Sequence, residues 1–174
     1  GYPQQHDISN GTYNTAVQLA WDDTIQEVDY TKLLAIFDSI TKDMIDYYET
    51  KNYIFVHGWI PVLVKDKMPY HYTLNRCFEF DPDWRNSSGW EQARWQNGIE
   101  MNSRGFNEPN KTIVCGHWHC SYGHHLWEGS EEFGEYAKWE PFKREGIIAI
   151  DRCTAYTKEM NVLVLEDDLS NGSK

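Results

Sequence analysis

Cations are scarce in this chain. Sixteen Lys and Arg stand against 27 Asp and Glu, for a net charge of −11 over 174 residues. Nucleic-acid backbones are held mainly by Lys and Arg neutralising phosphates, so a nucleic acid is not the expected partner. No apolar run approaches the roughly 18 residues that cross a bilayer, and no segment has the pattern of a secretory signal. No membrane partner is therefore expected. Cysteine is sparse too. Cys77, Cys115, Cys120 and Cys153 form no Cys-x-x-Cys pair, which argues against a rubredoxin-like or zinc-ribbon site and for reduced, buried thiols, from which a reducing, cytoplasmic setting is expected. Internal repeats, low-complexity tracts and linkers are absent, and the length suits one domain, 1–174, with its own core.

Aromatic residues are plentiful, with eight Trp and eleven Tyr. So much aromatic surface implies wide packing, or a face that another polypeptide covers. Leu33, Phe37, Ile40, Met44 and Tyr47 recur at helical intervals and predict an amphipathic helix over 31–49, capped by Asp29 or Thr31. Short apolar runs predict strands at 53–57, 111–115, 146–151 and 160–166, with the helix backing one sheet. A helix carrying Trp90, Ala93, Arg94 and Trp95 is expected to start near Ser87-Ser88 and close at Asn97-Gly98. A polar loop should span 102–110. Ser121 to Lys143 reads as an irregular, acidic and aromatic insertion of the kind that covers sites. The tail, 168–174, is expected to be disordered.

Histidine carries the chemistry. Tyr53-Ile-Phe-Val-His57-Gly58 and Thr112-Ile-Val-Cys-Gly116-His117-Trp-His119 each end an apolar run at a glycine. A strand that ends this way delivers imidazole to the rim of a sheet, where ligands and metals collect in α/β proteins. Side chains at i and i+2 of a strand share a face, so His117 and His119 are expected to converge on one ion or ion pair.

The ordered pair Val56-His57-Gly58 and Gly116-His117-Trp118-His119 resembles the C-terminal half of the calcineurin-like metallophosphoesterases, which include bacterial serine/threonine phosphatases. The likeness runs from about residue 30 to 167 and takes in Gly146–Asp151 and Met160–Glu166. Three further motifs of that family, Asp-x-His, Gly-Asp-x-x-Asp and Gly-Asn-His, do not occur in the sequence. The resemblance therefore implies an α/β fold, a partial calcineurin-like β-sandwich flanked by helices, and half of an active site. It implies hydrolysis of a phosphoester by two divalent ions (Mn, Fe, Zn or Ni) in an intact parent, with the N-terminal half of the domain missing here. His57 and His117 would hold one ion and His119 the other. Arg94 would hold a substrate phosphate, and Asp151 would orient a ligating histidine. The substrate would be a phosphoprotein, a nucleotide or a small phosphoester. This chain alone would bind at most one ion weakly and be inactive.

Other readings of the same residues stand beside it. Arg94 suits a surface ion pair with Glu91 or Asp83, and Asp151 an ordinary strand-end turn. Cys115, His117, His119 and Cys120 could form a small structural zinc site, although four ligands within six residues crowd one ion. His124-His125 fits a surface loop. A non-catalytic interaction module with an aromatic surface is the alternative to an enzyme.

Overall fold

The computed structural model describes residues 5, 8, 12–64 and 78–167. The chain divides into two units, 1–45 and 46–174. In the first, helix α1 (Thr12–Ala20) leads through the ribbon β1 (Trp21–Asp22) and β2 (Glu27–Val28) to helix α2 (Tyr30–Thr41). Ala20, Val28 and Leu33 form its small core. Asp29 caps α2 as expected, its Oδ1 accepting from the Thr31 and Lys32 amides at 2.9 and 3.1 Å. The helix stops at Thr41 rather than 49. Tyr47, which fits the helical period, lies instead on strand β3 (Tyr47–Glu49), bound to its neighbour in a ladder that outweighs local periodicity.

The second unit is mixed α/β, with a mixed five-stranded sheet flanked by helices. Its strands are β3, β4 (Tyr53–Val56), β7 (Thr112–His119), β8 (Phe142–Arg144) and β9 (Ile147–Asp151), in the order β3-β4-β7-β9-β8. The central three run parallel, and β3 and β8 pair antiparallel at the edges. A separate ribbon joins β5 (Val62–Val64) to β6 (Phe78–Phe80). Three short helices follow it: a 3-10 turn at Trp84–Asn86, α3 (Trp90–Ala93) and α4 (Gly98–Ser103). Helix α5 (Cys120–Glu128) and a single turn, α6 (Thr154–Thr157), complete the unit.

Sheet register sets the core. Ile54, Ile113 and Ile147 stand side by side, as do Cys115 and Ala149 one pleat on. Against this face pack Trp59, Trp84, Trp90, Ile99 and Met101. Each such buried side chain contributes about 1.5–3 kcal/mol by leaving water. The buried indoles also use their N–H groups: Trp59 donates to the Phe106 carbonyl at 2.9 Å and Trp84 to Glu108 at 2.8 Å. Arg85 bridges Glu49 and Glu108, and its guanidinium holds the Glu49 carboxyl down to about 2.

Several expectations need correction. The Trp90 helix is only four residues long, and Asn97 begins a helix instead of closing one, its side chain accepting from the Ile99 and Glu100 amides. Part of the expected 102–110 loop is the end of α4. The insertion starts as a regular helix, α5, which stops at Gly129 in the left-handed conformation. Residues 160–166 join no strand ladder among the described residues. The expected disorder of 168–174 falls outside those residues. Among them, no helix is long and apolar enough to cross a membrane.

Candidate functional site

The parallel pairing of β4 with β7 sets Val56 against Cys115, which brings the following residues, His57 and Gly116, together at the sheet rim; the Gly116 amide donates to the His57 carbonyl at 2.9 Å. Beyond Cys115 the ladder to β9 slips, and His119 pairs with Asp151 across a bulge. Within that bulge His117 takes a left-handed backbone, with φ of 59°. The i, i+2 argument does not carry across such a break. His117 therefore turns toward His57, while His119 follows a different course.

His57 Nε2 and His117 Nδ1 stand 3.1 Å apart. Two imidazole nitrogens bound to one ion at about 2.0–2.1 Å each would be separated by roughly 3 Å, so this pair fits one metal ion as readily as a direct ring-to-ring hydrogen bond. His57 is exposed and His117 half-buried. Burial pushes the His117 pKa below its ordinary 6.5, and the neighbouring His57 adds to the effect; the Asp151 charge and a hydrogen bond with the Trp95 backbone pull the other way. His117 is thus held toward its neutral form. Trp95 meets its ring edge-on at 5.5 Å.

Gly58 is essential to this placement. The adjacent Trp59 amide donates to the Ala93 carbonyl at 3.0 Å, and a Cβ on Gly58 would lie 2.5 Å from the Arg94 carbonyl oxygen. Only glycine lets the chain pass so close to the end of α3.

His119 Nε2 lies 2.9 Å from Glu132 Oε1, and its ring stacks on Trp118 at 5.9 Å and meets Phe133 at 4.7 Å. The structure thus brings two of the three expected histidines together and gives the third a carboxylate partner. Sequence spacing held no sign of Glu132, which comes from the loop after α5. Asp151 accepts from the Cys153 amide at 2.6 Å. Arg94 pairs with Asp46 at 2.6 Å, and its side chain is half exposed; neither Glu91 nor Asp83 is its partner in that bond.

The remaining candidates lead away from the rim. Cys115 and Cys120 are buried free thiols. Burial raises both pKa values, that of Cys120 to about 11, and Cys120 donates to the Ala149 carbonyl. His124 is buried between Glu128 and the Glu140 carbonyl, at 2.8 and 3.1 Å. The neighbouring His125 Nδ1 lies 2.8 Å from the Ser130 carbonyl. Among the described residues no group of three or more His, Cys, Asp or Glu side chains is set to hold a metal ion. The pair His57 and His117 is therefore an incomplete donor set, suited to one ion when other ligands join it. Compared with known proteins, the chain matches no family model, no curated protein and no solved structure.

Proposed function

We propose that this chain carries the imidazole half of a dinuclear metal centre that hydrolyses phosphoesters, in the manner of calcineurin-like phosphatases. The observation that carries the reading is the 3.1 Å approach of His57 Nε2 to His117 Nδ1. His57 and His117 hold one ion. His119 serves the other through Nδ1, because Glu132 at Nε2 fixes the tautomer and orients the ring, as outer carboxylates do for metal-binding histidines. The fold in this reading is the C-terminal part of the calcineurin-like sandwich. Ions held there, Mn, Fe, Zn or Ni, would supply positive charge to a phosphoryl group and lower the pKa of a bound water. Asp151 tempers His117 through its charge.

Arg94 binds a phosphate oxygen of the substrate. Its bond to Asp46 is half exposed, and surface pairs of this kind contribute only about 0.2–1 kcal/mol, so a dianionic phosphate displaces the carboxylate at little cost. The acidic ligands that such a centre needs would come from polypeptide outside these residues. Two ions held by neutral imidazoles alone would repel one another. The free thiols Cys115, Cys120 and Cys153 suit a reducing, cytoplasmic setting.

The test compares this chain with an upstream-extended one, using p-nitrophenyl phosphate and manganese. The short chain should be inactive, and the extended chain active in a way that His57→Ala or His117→Ala abolishes. Metal-dependent turnover by the short chain would refute the half-site, and an inactive extended chain would refute the phosphatase reading.

A further inference from the structure

Parallel strands at the centre of a sheet are normally covered on both faces. Here the Ile54, Ile113 and Ile147 face lies under the helices, and the opposite face carries Phe55, Val114 and Ile148 in register, of which Val114 and Ile148 are buried. Burial alternates along residues 160–167. Asn161, Leu163, Leu165 and Asp167 are half-buried, while Met160, Val162, Val164 and Glu166 are exposed. Period-two burial is the signature of a β-strand. Both ends are fastened. Asn161 Nδ2 donates to the Trp139 and Ile150 carbonyls at 2.7 and 3.2 Å, and Asp167 accepts from Thr50 and, at 2.6 Å, from Asn52. Yet among the described residues no backbone hydrogen bond engages 160–166. The outward row is strongly apolar, with Met160 73%, Val162 76% and Val164 86% exposed.

We propose that Met160–Glu166 is a docking strand for an extended segment from outside these 174 residues. The incoming strand bonds its backbone to this one and packs alternate apolar side chains on Met160, Val162 and Val164. Its occupant is the polypeptide that supplies the carboxylates, so this inference rests on the proposed function. Position supports the choice. Asn161 is tied to Ile150, next to Asp151, the register partner of His119, so a strand seated here has one end at the histidine rim. Charge argues against a second copy. Antiparallel self-pairing about Leu163 would set Glu159 against Asp167, and parallel pairing would set Glu166 against itself, and like charges in facing positions are unfavourable. A Lys or Arg opposite Glu166 is the complement.

Amide hydrogen exchange on the short and upstream-extended chains, each with manganese, tests this. In the short chain the 160–166 amides should exchange freely while Ile113 is protected. In the extended chain alternate amides of 160–166 should slow by about tenfold or more, and Val162→Lys with Val164→Lys should reverse this without exposing Ile113. Leu126→Lys, at another exposed apolar site, should leave the protection intact. Free exchange in the extended chain would overturn the docking strand, even if hydrolysis were restored. Protection without hydrolysis would keep it and sink the phosphatase reading. Protection in the short chain that grows with concentration would assign the strand to a second copy and overturn the proposed occupant.

Discussion

His117 and His124 sit on consecutive elements and serve opposite ends. At His124 both ring nitrogens are consumed, one facing Glu128 and the other the Glu140 carbonyl, while Phe142 meets the ring edge-on at 5.3 Å. That imidazole fastens α5 to the chain entering β8. At His117 the Trp95 backbone engages the ring, and Nδ1 faces a second histidine at the solvent edge. The residue type is the same, but one imidazole has both nitrogens engaged within the fold and the other faces a second histidine at the solvent edge.

The sharpest way to break this comparison is to remove each ring in the upstream-extended protein. His117→Ala should lower kcat/KM for p-nitrophenyl phosphate on the order of 100-fold or more, with little change in urea stability. His124→Ala should do the reverse, costing about 1–3 kcal/mol in urea unfolding through its stranded partners and leaving kcat/KM nearly intact. Equal activity losses would erase the distinction. Gly58→Ala comes next. A Cβ pressed against the Ala93 and Arg94 carbonyls should cost about 1–3 kcal/mol of stability and weaken manganese binding by displacing His57, both readable by titration calorimetry and denaturation.

Glu132→Gln keeps the shape but weakens the hold on His119, and activity should fall roughly tenfold. Titration sharpens the contrast further. The His117 pKa is lowered in the fold, so its contribution to stability is present above the ordinary imidazole pKa of about 6.5 and is lost as pH falls through the folded value. Its NMR midpoint should lie below 6.5. The smallest effect belongs to Arg94→Ala, which removes an exposed pair worth about 0.2–1 kcal/mol. Its signature should be a raised KM with stability almost unchanged.

The central strands were legible because β4, β7 and β9 are continuous apolar runs, as buried parallel strands require. The edge strands β3 and β8 were not, since three residues supply too little pattern and their stability comes from the ladder. Met160–Glu166 has the alternation of a strand in sequence and in burial but joins no ladder among the described residues, because periodicity reports faces, not partners. The approach of His57 to His117 follows from order and strand ends. The parting of His117 from His119 does not, because it depends on a bulge whose slip is set by tertiary pairing. Glu132 reaches His119 from a loop whose path no local signal fixes.

The left-handed backbone at His117 has a consequence for how this protein changes over time. A side chain there costs roughly 1–2 kcal/mol that glycine would not. Replacing His117 with glycine should therefore yield a more stable fold than replacing it with alanine, and a more stable one than the native chain if the ring adds little packing. Mutation without selection for the imidazole would drift toward glycine or asparagine at this position. The imidazole at His117 thus occupies a backbone conformation that disfavours it, so the ring is carried there at some expense of stability.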